Sequence, residues 1–177
     1  MILMPQKDWQ WNFSLTHQVL SVSLGSDYEF LTPYTSKLLI PDARDSLEFS
    51  VEHAKFYIDL LDKLSTSLSV TDGAIVQIAL NATAAHFLIK PQMPKSWFFD
   101  ASDTCVYSEV GKVFYIKANG HKSLVVAVEV GLQATQVMLL SSECQLTDSK
   151  CLKQFDTIKV MHDRLHPLRV NRQVVAA

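Results

Sequence analysis

The chain has few of the residues on which many binding and catalytic sites are built. Its three cysteines, Cys105, Cys144 and Cys151, form no Cys-x-x-Cys pair, a count and spacing that fit neither a disulfide framework nor a zinc ribbon. Reduced thiols in a cytoplasm are the simplest reading. Five glycines in 177 residues leave no phosphate-cradling loop, and no Gly-x-Ser-x-Gly elbow is present, so the commonest nucleotide-binding and hydrolase sites are excluded. No sign of charge dominates. With a formal net charge of -2, no overall field marks the molecule as a partner for nucleic acid or an anionic membrane.

Long apolar runs are missing too. Residues 1–4 are apolar, but Pro5, Lys7 and Asp8 follow, which is too short for the apolar region of a secretory signal. The richest apolar stretch, residues 124–140, is interrupted by Glu129, Gly131, Gln133 and Gln136. It falls short of the roughly 20 residues that span a bilayer and reads as two strands. What the chain does have is 48% hydrophobic residues, enough to bury a sizeable core in one domain or in two small ones.

Trp9, Trp11, Phe13 and Leu15 alternate with polar residues, and Leu20, Val22 and Leu24 do the same; period 2 predicts strands with one face buried. Turn chemistry at Gly25, Ser26 and Asp27 precedes a third strand over residues 28–31, giving a β-meander. Ser36 is placed to cap a short helix limited by Pro41, with a polar connection over residues 42–46. Ser50 caps a longer helix over residues 51–65, with Ala54, Tyr57, Ile58, Leu61 and Leu64 on the core side and Glu52, Lys55, Asp59, Asp62 and Lys63 on the wet side. Thr71 caps a third helix reaching residue 89, apolar but for a stripe at Gln77 and Asn81, which marks it as central; Lys90-Pro91 ends it.

Beyond Trp97 the period changes to 2. Residues 104–108, 112–118, 123–130 and 135–141 read as strands, with Asn119-Gly120 as a tight hairpin turn. Residues 155–165 suit either a strand or a short helix, and the tail after Arg172 reads as frayed. The fold expected is α+β, an N-terminal α/β region (β-meander plus helices) over residues 1–95 followed by a small, twisted, β-barrel-like region over residues 96–177.

Candidate chemistry is sparse. His162 and His166 stand at the i, i+4 spacing with which a helix can offer two imidazoles to zinc. Asp163 stands where a metalloprotease would have its glutamate, however, and Pro167 would end the helix. His86 reads as a hydrogen-bonded histidine on an apolar helix, and Asp59 and Asp62 as a solvated face. Arg164, Arg169 and Arg172 on a barrel could serve single-stranded nucleic acid. From Ser96 onward, though, nine Lys and Arg face eight Asp and Glu, a balance of +1 and no basic stripe.

The segment that calls for an account is Lys90-Pro91-Gln92-Met93-Pro94-Lys95-Ser96-Trp97. Two prolines hold it near extended geometry, so Lys90, Met93, Lys95 and Trp97 are displayed with little entropy left to lose, which suits either a partner surface or a stiff connector. At this loop the chain resembles the ZapC family, the Z-ring-associated proteins C of bacterial cell division. The likeness also rests on Asp8-Trp9, Trp11, Pro41-Asp42-Ala43, Leu80-Asn81-Ala82, Ile158-Lys159, Met161, Asp163-Arg164-Leu165 and Pro167, and residues 101–150 carry little of it. The resemblance implies a non-enzymatic, cytoplasmic monomer without a cofactor, acting at the midcell septum. It also implies binding to FtsZ polymers, which are bundled and whose GTP turnover slows. Val22, in a largely hydrophobic N-terminal pocket, with Lys90 and Lys95 of the loop, is the contact set the resemblance implies; Met93 and Trp97 are added on their chemistry. No nucleic-acid partner or membrane insertion is expected.

Overall fold

In the computed structural model, which describes residues 2–25 and 28–168, the chain order is β1 (Gln10–Ser14), β2 (Val19–Ser23), β3 (Glu29–Thr35), β4 (Leu47–Glu48), α1 (Val51–Ser67), α2 (Asp72–Leu88), β5 (Val113–Ala118), β6 (His121–Val130), β7 (Ala134–Leu139), β8 (Glu143–Gln145), β9 (Cys151–Lys153), β10 (Thr157–Met161) and β11 (His166–Pro167). Short 3-10 turns lie at Pro41–Arg44, Ser96–Phe98 and His162–Arg164. The class is α+β, as the pattern of periods implied. Ser26 and Asp27 of the first turn, Arg169, Arg172 and the tail lie outside the described residues.

The meander forms an antiparallel sheet in the order β3-β2-β1-β4. Trp11 pairs with Val22 across β1 and β2, and both are fully buried. β3 carries Pro33, which donates no ladder hydrogen bond and is tolerated because β3 is an edge strand. Residues 36–40 do not form the expected helix. Residues 36–38 make a turn instead, with Leu38 N donating to Thr35 O at 3.0 Å; Lys90 N then donates to Leu38 O at 2.8 Å and Ile40 N to Leu88 O at 2.9 Å, and Leu39 bridges Ile89 at the end of α2.

Ser50 caps α1 in a capping box whose N3 residue is His53: Ser50 Oγ accepts from His53 N and His53 Nδ1 accepts from Ser50 N, each at 3.2 Å. The buried stripe is His53, Tyr57, Leu60, Leu61 and Leu64, while Ile58 is 38% exposed. A pattern that counts histidine as polar misplaces the centre of this stripe. α2 is buried along most of its length, Asn81 included, and only Gln77 of its expected polar stripe faces solvent. Thr71 Oγ1 caps it by accepting from Ala74 N at 3.2 Å.

The second sheet is antiparallel in the order β10-β7-β6-β5-β11, and β8 and β9 form a separate hairpin. Asn119 and Gly120 have φ of 52° and 76°, the left-handed pair that a two-residue hairpin turn requires. The sheet does not close into a barrel: its ends, β10 and β11, are unpaired with each other. Residues 104–108 are not a strand either, because β11 already occupies the free edge of β5. The sheet is the wall between two cores. Val113, Val126, Val128 and Met138 pack with α1, α2 and the meander, whereas Phe114, Ile116, Val125, Ala127, Val137 and Leu139 of the opposite face form a second cluster with Phe99 and Leu165.

Candidate docking site

Residues 90–97 leave α2 extended, since Pro91 and Pro94 restrict φ and bias the residue before each away from helix. Their side chains alternate. Lys90, Met93, Lys95 and Trp97 are exposed, while Gln92, Pro94, Ser96 and Phe98 are half-buried. The inward set pins the segment to the edge of β10. Gln92 Oε1 accepts from Gln136 Nε2 and from Thr157 Oγ1, both at 3.2 Å, and Ser96 Oγ accepts from Met161 N at 2.8 Å. Pro94 bridges Lys159 in parallel sense, Lys95 N donates to Lys159 O at 2.8 Å, and Arg164 Nε donates to Ser96 O at 3.2 Å. The outward set is consequently held in place, with Met93 80% and Trp97 71% exposed. Ordering costs on binding fall when the surface is already ordered.

Beside this segment lies a hollow of about 630 Å³, walled by Met93, Lys95 and Phe98, by Leu146, Lys150 and Leu152 around the β8–β9 hairpin, and by Ile158 and Lys159 of β10. Its floor is apolar, with Phe98, Leu146 and Leu152, and three lysines are among the residues that line it. Lys150 Nζ lies 5.6 Å over the Phe98 ring, and the Trp97 and Phe98 rings are 5.5 Å apart.

The structure brings Lys90, Met93, Lys95 and Trp97 onto one exposed segment and leaves Val22 elsewhere. Val22 is 0% exposed, between Trp11 and Phe30 across its strand, so its side chain belongs to the core and not to the exposed segment. Sequence reasoning missed Phe98, Lys150, Leu152 and Lys159. Ile158-Lys159 stood out as a pair, but nothing in a one-dimensional pattern brings a hairpin some 50 positions downstream against a loop.

The metal arrangement fails on geometry. His162 lies in a 3-10 turn and His166 in β11, not one turn apart on an α-helix, and His166 Nε2 is 3.1 Å from Asp100 O. Among the described residues no group of three His, Cys, Asp or Glu is placed to hold a metal ion. Arg164 is tied to Ser96 O and pairs with Asp163 at 3.1 Å, so it positions the loop. His86 is a hydrogen-bonded histidine as expected, its Nδ1 donating to Val128 O at 2.6 Å with the ring stacked on Phe56. The cysteines are free; burial pushes the Cys144 thiol pKa up, and Cys105 and Cys151 are exposed. Among the described residues no helix is long and apolar enough to cross a membrane.

Fold and site together describe an α+β protein whose most distinctive feature is an ordered, exposed loop beside a lysine-lined apolar hollow. Comparison with known proteins gives this architecture a family. Residues 2–90 match the family model described as cell-division protein ZapC, N-terminal, and residues 91–171 the model described as cell-division protein ZapC, C-terminal. The chain is similar to the cell division protein ZapC of Shewanella woodyi, 66% identical over 177 residues that cover all of this chain and 98% of the relative. It is similar also to that of Shewanella oneidensis, 63% identical over the full length of both, and to that of Ferrimonas balearica, 40% identical over the full length of both. The chain belongs to the ZapC family of cell-division proteins.

Proposed function

We propose that this member of the family works without catalysis, as a cytoplasmic monomer at the midcell septum, by binding FtsZ polymers, favouring their lateral association and slowing their GTP turnover. One observation supports the reading above others: Lys90, Met93, Lys95 and Trp97 stand exposed on a segment that two prolines and an inward set of anchors hold rigid. Lysines offer complementarity to an acidic polymer, and methionine and indole supply apolar anchors. A protein that touches more than one filament adds contacts between rods that otherwise repel. Slower turnover then follows from mass action, because whatever stabilises the assembled form limits subunit exchange. Val22 contributes only by holding β2 in the core.

Sedimentation with purified FtsZ and GTP tests the proposal. The parent chain should pellet with the polymers, shift them to a low-speed pellet and reduce phosphate release, less so as salt is raised. Lys90→Asp combined with Lys95→Asp should abolish all three. Absence of co-pelleting by the parent, or a double variant that pellets as the parent does, would refute it.

A further inference from the structure

The hollow beside the loop has its own recognition chemistry. Its twelve lining residues include three lysines, Lys95, Lys150 and Lys159, and no aspartate or glutamate. None of the three lysines is ion-paired among the described residues. The three lysines come from three separate places in the chain, the loop, the β8–β9 hairpin and β10, and line one hollow whose apolar floor includes Phe98, Leu146 and Leu152. Three lysines and no carboxylate among the lining residues make the hollow complementary to an anionic occupant. The floor adds a demand for apolar surface, and the volume of about 630 Å³ lies within the range of sites that hold a compact ligand.

From this geometry we infer that the hollow is a docking site for a short acidic peptide segment of a partner protein, one that sets an apolar side chain on the floor and carboxylates against Lys95, Lys150 and Lys159. The inference rests on the docking face proposed above to the extent that Met93 and Lys95 serve both. It adds the hairpin and β10 as recognition elements, and Cys151 in the wall as a reporter of occupancy.

The test uses the full chain and a fluorescein-labelled peptide bearing a leucine-phenylalanine pair flanked by aspartates and glutamates. Control peptides replace either the pair by serines or the acids by lysines. Anisotropy should show saturable binding of the first peptide alone, weakening with salt. Bound peptide should slow alkylation of Cys151 and leave exposed Cys105 unchanged as internal reference. Lys150→Glu with Lys159→Glu should raise the dissociation constant about tenfold or more, whereas Lys122→Glu, outside the hollow, should not. Because reversed charges on a strand could disturb folding, Lys150→Gln with Lys159→Gln, with circular dichroism equal to the parent's, should give a loss in the same direction. No binding by the parent, binding unchanged in both double variants, or protection of Cys105 and not Cys151 overturns the inference. So does concentration-dependent self-association, abolished by the same variants, in a chain that ignores the peptide, since a second copy would then be the occupant. If the peptide fails while FtsZ still co-pellets, the hollow is refuted and the docking face stands. If the peptide binds and FtsZ does not pellet, the reverse holds.

Discussion

His53 shows how much one side chain can organise. Its Nδ1 accepts hydrogen bonds from the buried Trp11 Nε1 at 3.0 Å and from Ser50 N at 3.2 Å, which fixes the ring proton on Nε2 and requires a neutral imidazole. Burial, the largest influence, pushes its pKa below the ordinary histidine value; Glu52 and Glu48 pull the other way and His86 adds to the depression. A group that is harder to protonate when folded stabilises the fold fully above its unfolded pKa of about 6.5. That contribution is lost as pH falls from there through the depressed folded value. Urea midpoints followed by tryptophan fluorescence should therefore decline below about pH 6.5. In His53→Phe that decline should flatten, at a cost of about 1–3 kcal/mol, since the Trp11 and Ser50 donors lose their acceptor. At this scale the sequence was legible where alternation decides burial, as for Trp11 and Val22, and illegible where a polar residue is drawn inside. Asn81 shares a helix face with exposed Gln77, yet it is buried, with no hydrogen-bond partner for its Oδ1 among the described residues, because how far a helix is covered depends on tertiary packing.

Among the elements, the extended segment after α2 has the clearest link between sequence and use. Its prolines restrict the unfolded chain as well as the folded one, so Pro91→Ala with Pro94→Ala should lower stability by roughly 1–2 kcal/mol. The anchors through Gln92 and Ser96 remain in that variant, and the fold should persist. Binding should suffer separately, since ordering a freed residue costs about 1 kcal/mol, which predicts FtsZ co-sedimentation weakened several-fold in a chain whose circular dichroism matches the parent's. Undiminished pelleting would show that rigidity has no part in docking. The elements themselves were largely readable: the meander, the two long helices, β5, β6, β7 and the Asn119-Gly120 turn all follow from period and turn chemistry. The misread ones share a cause. Residues 36–40 and 104–108 carry acceptable local patterns, but their structure depends on which backbone groups and sheet edges distant segments have already taken. The open sheet has the same origin, because the number and spacing of strands do not say whether the outer two meet.

The whole molecule is organised around the β5–β6–β7 wall, which separates two cores and belongs to both. Its inner face closes the first core over α2, and Tyr34 Oη of the meander donates to Phe155 O at 2.7 Å across the same boundary, fully buried. A chain division near Lys95, which the change of period suggests, cuts through this shared packing. α2 is apolar on nearly every face, and without residues 96–177 the core it belongs to loses Val113, Val126, Val128, Met138, Leu140 and Phe155, which exposes apolar surface. Burying a side chain of this size is worth about 1.5–3 kcal/mol, and losing several such contacts approaches the whole stability of a small domain, about 5–15 kcal/mol. A fragment of residues 1–95 should accordingly bind the apolar dye ANS, aggregate and lack a cooperative urea transition. The full chain should unfold in a single step, with Trp9 and Trp11 fluorescence and the far-ultraviolet signal of the second sheet changing at one midpoint. Two separate midpoints, or a fragment that melts cooperatively by itself, would show that the wall belongs to the C-terminal region alone. Coincident transitions would mean that the loop at the junction is held from both sides, by α2 before it and β10 after it.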